Sequence, residues 1–159
     1  MKKRKNGKAK GARAELEVAK LIELWWAAFE PGVSFKRAPL SGGWAHGTSA
    51  QREFGTAGDI ITKAKHFPWS IEVKRRENWS FDVFKAGKPS PVWGWWKQAC
   101  QQGETTGKRP MLWFRQSRGE WWVLVPGLVQ GEWIPNRNVT LVKASQILRT
   151  QPQAAVNLW

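Results

Sequence analysis

Three side chains near the middle of the chain have the types and spacing of a phosphodiester-cleaving site: Asp59, Glu72 and Lys74, in the pattern D-x12-E-x-K. Two carboxylates can hold a Mg²⁺ ion through their oxygens. Such an ion lowers the pKa of a bound water and stabilises the charge that develops on an attacked phosphodiester. A neighbouring ammonium can position that water or hold the phosphate, and lysine suits the task as a compact point charge. The pattern has a plainer explanation as well. "SIEVKRREN", residues 70–78, reads as a short strand, and side chains alternate across a strand. Glu72 and Lys74 then share one side, with Ile71 and Val73 on the other. A half-buried edge strand with a solvated salt pair shows the same arrangement.

The elements around these residues decide whether they can meet. Residues 59–74 read as a β-hairpin, with "DIITKA" as one strand, "KHFP" as the turn region and "WSIEVK" as the return. A regular antiparallel register centred between Lys65 and His66 pairs Asp59 with Glu72. Upstream, residues 12–29, "ARAELEVAKLIELWWAAF", read as a helix stopped by Pro31 and Gly32. At about 100° per residue, Val18, Ala19, Ile22, Trp25 and Trp26 cluster on one face. Arg13, Glu17 and Lys20 take the opposite side, so Glu17 is expected on the outer face. Glu15 falls among the apolar residues, where a carboxylate is costly without a partner. It is either a boundary acid reaching water or a buried acid facing a metal or a cation, and in the second case it supplies a third carboxylate.

Residues 33–38 read as a strand, and the Gly-, Ser- and Thr-rich stretch 39–58 as a long loop of the functional kind. Residues 77–92 look irregular, with Gly87, Pro89 and Pro91 as breakers. A helix is expected over 92–103, strands over 110–116 and 120–126, and a final strand and short helix in "VTLVKASQILRT". Helix, strands, helix, strands is the order of a single α/β or α+β domain.

The chain has 159 residues and 42% hydrophobic residues, enough for one core. Lys and Arg number 26 against 12 Asp and Glu, a net charge of +14. That excess points to a polyanion, nucleic acid before a membrane surface. Residues 1–13 carry seven Lys or Arg and no acid. They form either a solvated tail or a basic arm on phosphates, with Lys3, Arg4, Lys5, Lys8, Lys10 and Arg13 as the candidate contacts. Arg75 and Arg76 extend the basic surface beside Lys74. No apolar run is long enough to span a membrane, and no signal-type core follows the basic start, so an intracellular protein is expected. The single Cys100 and the two histidines leave oxygen ligands for any metal, which favours Mg²⁺ or Mn²⁺. Most of the 13 Trp are expected in packing, with a few free to stack on bases.

"KGARAELEVAKLI", "RAPLSGG", "GDIIT" and "SIEVKRRE", in this order and spacing, resemble the archaeal Holliday junction resolvases of the PD-(D/E)-x-K nuclease superfamily. The resemblance covers roughly residues 10–126. It implies a restriction-endonuclease-like α/β fold, with a central mixed β-sheet flanked by helices, in a nuclease domain over 11–159 behind a basic flexible arm over 1–10. It implies a homodimer that resolves four-way DNA junctions by two symmetric nicks, using Mg²⁺, with Mn²⁺ as a substitute and no small-molecule cofactor. By the motif match Glu15 is the helix-borne acid, Asp59 and Glu72 are the metal carboxylates and Lys74 is the catalytic lysine. Ser41 matches a loop serine near the cleaved strand, and Gln98 in "WKQA" a glutamine of the following helix, here after a longer segment. Gly58 stands where the superfamily name has a proline, a position that shapes backbone and binds no metal. A cytoplasmic location is implied, in the host if the chain is virus-encoded. Two other readings stay open: a restriction- or repair-type nuclease on duplex DNA, and a basic nucleic-acid-binding protein without catalysis.

Overall fold

The computed structural model of the protein describes residues 7–39 and 58–159. Lys3, Arg4, Lys5 and Ser41 lie outside the described residues. Helix α1 (Gly7–Trp26) is followed by strands β1 (Phe35–Arg37), β2 (Ile60–Thr62) and β3 (Trp69–Arg75), then by helices α2 (Phe81–Lys85) and α3 (Pro91–Thr106). Strands β4 (Arg109–Arg115), β5 (Trp122–Pro126), β6 (Glu132–Ile134) and β7 (Val139–Lys143) come next, and helices α4 (Ala144–Arg149) and α5 (Pro152–Leu158) end the chain. The central sheet is mixed and five-stranded, in the order β3-β4-β5-β7-β6. Strands β3 and β4 are parallel, with α3 as their crossover, and the other pairs are antiparallel.

Alternation along these strands sorts the core into two layers. Ile71, Val73, Met111, Trp113, Val123, Val125 and Val142 pack with α1, α4 and α5. Leu112, Phe114, Leu124 and Leu141 pack with Trp79, Phe84, Val92 and Ala99 on the other side. Glu72 is in register with Leu112 and Lys74 with Phe114, so both acid and base point to the α3 layer. Six of the Trp are buried and the other described ones are half-buried, as expected of packing residues.

The expected hairpin over 59–74 is not formed as a ladder. Strand β2 pairs with β1, Phe35 opposite Thr62 and Arg37 opposite Ile60, and β3 pairs with β4 instead. The cause lies in the connection. Phe67 sinks into the core, packing edge-on against Trp26, Phe35 and Trp69 at 4.9–5.3 Å, and Pro68 has no N–H to give a ladder. The two acids still meet. Asp59 N donates to Ile71 O at 2.7 Å, which lays residue 59 against the free edge of β3.

Helix α1 starts at Gly7, five residues before the expected start, and takes in residues 7–10 of the expected arm. Lys8, Ala9 and Lys10 favour helix, and Lys10 is tied to Glu77 at 2.8 Å. Pro91 is no breaker: it occupies the first turn of α3 behind the Ser90 N-cap, where a missing N–H costs nothing. Helix α3 runs past Gly103 to Gly107, whose φ of 66° closes it in the left-handed conformation. Helices α2 and α5 and strand β6 are short, at three to seven residues, and went unread for that reason.

Candidate active site

A pocket of about 290 Å³ opens where α1, the end of β1, Asp59, the second half of β3 and α3 meet. Its lining includes Glu15, Arg37, Asp59, Glu72, Lys74, Arg76 and Gln98. Each is placed by its element. Glu72 is only 1% exposed, held there by its position inside β3. Lys74 follows on the same face and reaches back to Glu72 Oε1 at 2.8 Å. Among the described residues Glu72 Oε2 has no hydrogen-bond partner. The bland reading of β3 therefore fails: the strand lies at the edge of the sheet, yet its acid is buried rather than solvated.

Asp59 is held by the backbone of β3. Val73 N donates to its Oδ2 at 2.8 Å. The approach needs Gly58, because a Cβ there would collide with the Ile71 carbonyl. Burial, then the Glu72 carboxylate, push the Asp59 pKa well above the usual carboxylate range. Burial also raises Glu72, and Lys74 offsets part of that rise.

Glu15, buried on α1, binds Arg37 Nε through Oε2 at 2.8 Å. Of the two readings that helix spacing leaves open for it, the buried acid facing a cation is the one found, and its charge is one of those that raise Asp59. Arg37 was missed. Its tie to Glu15 crosses 22 residues of sequence, and "FKRA" carries no local sign of it. Gln102, one turn beyond Gln98 on α3, was missed too; it is 9% exposed, and its side chain helps offset the rise at Glu72.

The remaining candidates divide. Lys8 lines the pocket beside Gly7, Gly11 and Ala12. Arg13 is exposed away from it. Lys10 is engaged with Glu77, and Arg75, on the opposite side of β3 from Lys74, reaches the Ser117 carbonyl at 3.5 Å. Glu17 does not sit free on an outer face. Arg115 Nη2 and Trp121 Nε1 donate to it at 2.8 and 3.1 Å, because the end of β4 rises beside this turn of α1.

Residues 6–151 match the family described as "Phage putative PDDEXK endonuclease". The chain belongs to this family. A PDDEXK endonuclease is a nuclease. The chain is also similar to Protein D14 of Escherichia phage T5, 28% identical over 120 residues that cover 73% of this chain and 68% of that protein. No solved structure matches. Among the described residues, no helix is long and apolar enough to cross a membrane.

PDDEXK nucleases generally use divalent metal ions, and the donors here fit one in part. Asp59 and Glu72 are hard oxygen ligands, both buried, with an unpartnered oxygen on Glu72. Among the described residues no three His, Cys, Asp or Glu side chains form a ready cation cage. Glu15 is turned to Arg37, which leaves Asp59 and Glu72 as the pocket acids that could hold a cation.

Proposed function

We propose that the protein is a divalent-cation-dependent DNA endonuclease that resolves four-way junctions by paired symmetric nicks, acting as a homodimer in the host cytoplasm. The observation that carries the nuclease part is the buried Asp59–Glu72 pair with an orphaned carboxylate oxygen beside Lys74. The junction is supported by the resemblance of the motif blocks to archaeal resolvases, and the homodimer by the same resemblance. A twofold dimer also supplies two identical sites related as the two cuts are.

In this reading Asp59 and Glu72 hold Mg²⁺ or Mn²⁺, with Glu15 as the third acid of the site. The bound cation acts as a Lewis acid on water and phosphate. Glu72 and Asp59 must first shed the proton that burial favours, so binding competes with protonation. Lys74, whose side chain is 16% exposed, turns its ammonium to the pocket and orients the attacking water or a phosphate oxygen. Arg37, Arg76 and Lys8 face the same pocket and hold the flanking phosphates. Gln98 lies where the strand passes α3. Lys3, Arg4 and Lys5 extend the phosphate contacts, Arg13 flanks them, and Ser41 belongs near the cleaved strand.

The test is cleavage of a synthetic four-way junction and of a linear duplex with the same arms, in Mg²⁺, Mn²⁺ and chelator. Two symmetric nicks confined to the junction, lost in chelator, are expected. Equal cutting of the duplex replaces the junction with a restriction- or repair-type substrate. Binding without cutting in either metal overturns the nuclease reading for this chain.

A further inference from the structure

We propose that the first two turns of α1 seat the phosphodiester backbone of the substrate, with Gly11 kept without a side chain so that the backbone can lie against the helix. The inference rests on the nuclease reading of the pocket and adds a surface to it. At about 100° per residue, Gly7, Lys8, Gly11, Ala12 and Glu15 fall within an arc of about 140° on α1. All five line the pocket that holds Asp59, Glu72 and Lys74. Glu15 lies nearest the middle of that arc, and Gly11 lies one turn before it.

Nothing among the described residues accounts for glycine at 11. Its backbone is helical, and a Cβ built on it meets no atom within 4 Å. The same holds at Gly7. Glycine is the least helix-favouring residue after proline, because it loses the most backbone freedom on folding. Alanine at 11 would therefore strengthen α1 at no steric cost to the fold. Among the described residues, the space above Gly11 is left open toward the pocket.

Two independent observations bear on what occupies that space. Glu72, 1% exposed, has an oxygen with no partner among the described residues and lines the same pocket, which is the mark of a missing ligand. The described lining carries four cations, Lys8, Arg37, Lys74 and Arg76, against three carboxylates, Glu15, Asp59 and Glu72. With a divalent ion on the acids the pocket is strongly positive, so its ligand is an anion. A phosphodiester strand running over Gly11, with Lys8 at its flank, answers that positive charge, while the unpartnered Glu72 oxygen is left to the cation. The bare helix surface at Gly11 admits the sugar–phosphate chain at backbone distance, which a side chain at this position would prevent.

Gly11→Ala and Gly11→Leu test this against Gly94→Ala. Gly94 is an exposed glycine inside α3 that also has nothing within 4 Å of its Cβ and is not part of the pocket lining. Thermal unfolding, DNA affinity by gel shift in chelator, and cleavage in Mg²⁺ are measured for each. Both alanine variants should melt higher, by about 2 °C. Gly11→Ala should weaken DNA binding and cleavage by about tenfold, the loss of one good phosphate contact or more. Gly11→Leu should lose more than Gly11→Ala, and Gly94→Ala should lose neither binding nor cleavage. Unchanged affinity and cleavage in Gly11→Ala and Gly11→Leu overturn the proposal, as does an equal loss in Gly94→Ala, which would trace the effect to helix rigidity. If the wild-type protein cuts no DNA in any metal, the nuclease reading fails alone, and a Gly11-dependent loss of affinity still supports the seat. A wild-type protein that binds no DNA overturns the seat as well.

Discussion

Two charged clusters meet β3 and contrast in how far their groups are satisfied. The inner one, Asp59, Glu72 and Lys74, is buried: its acids are 7% and 1% exposed, and one carboxylate oxygen has no partner among the described residues. The outer one, just beyond the strand, joins Glu77 to Lys10, to Ser117 N at 3.0 Å and to the Ser117 hydroxyl, at an acid with a half-open side chain. A second outer group ties Glu17 to Arg115 and Trp121, with the guanidinium stacked 4.6 Å from the indole. Outer acids have several donors each and the inner ones too few. A polar group fully satisfied inside the chain fixes structure. A buried acid left short of donors raises the cost of folding until something from outside completes it.

The largest effect that tests this contrast is at the inner pair. Asp59→Asn and Glu72→Gln should each lower cleavage by about 10³-fold or more, since each removes a ligand charge. Asp59→Asn should also make the protein more stable in chelator, by about 1 kcal/mol, because it removes a buried acid set beside the Glu72 carboxylate. The amide introduced by Asp59→Asn would still offer an oxygen to Val73 N. Folding and function then move in opposite directions, and chemical denaturation beside a cleavage assay reads both. Loss of stability in Asp59→Asn would show that the inner pair is a structural device like the outer ones.

Next in size is Gly58→Ala. A methyl there meets the backbone of Ile71, which cannot give way without moving β3. Stability should fall by about 1–3 kcal/mol, the range for overpacking, and cleavage should fall with it as Asp59 leaves Val73. This position shows how unevenly the site could be read from sequence. The alternation of Glu72 and Lys74 and the awkward placement of Glu15 follow from local periodicity, and all three reach the pocket. The long strands β3, β4, β5 and β7 were legible for the same reason. The use of Gly58 was not, because it depends on a β3 carbonyl that folding alone brings near. Arg37 and Gln102 were hidden likewise, as partners of acids on other elements. Glu17 was read as outward from helix spacing; its partner Arg115 is 98 residues away. The hairpin register failed because Phe67 follows the core rather than the ladder.

A smaller effect is expected at Glu17→Gln. Its side chain is 42% exposed, so solvent screens the pair with Arg115. Stability should fall by about 0.5–1 kcal/mol, less in high salt. Cleavage per folded molecule should be unchanged, since Glu17 lies outside the pocket lining. A large drop in cleavage here would erase the division between the two kinds of cluster.

The smallest effect concerns pH, and its sign separates the clusters. Glu77 is held down to about 2, chiefly by Lys10 and then by Ser117. Its folded pKa is below the ordinary value of 4.5, so its contribution to stability is present above that value and lost as pH falls through about 2. Asp59 and Glu72 go the other way. Their folded pKa values are raised, so in chelator the stability they lend is present below the ordinary carboxylate range and lost as pH rises through the raised values. Denaturation of the wild type, Glu77→Gln and Asp59→Asn across pH in chelator reads both slopes. The gap between wild type and Glu77→Gln should close as the solution is made acidic, and the advantage of Asp59→Asn should grow as it is made alkaline. Saturating divalent cation should abolish the second trend and leave the first, because the ion takes the place of the proton on the inner acids and never meets Glu77. An alkaline trend that survives saturating cation would mean that Asp59 and Glu72 do not hold it.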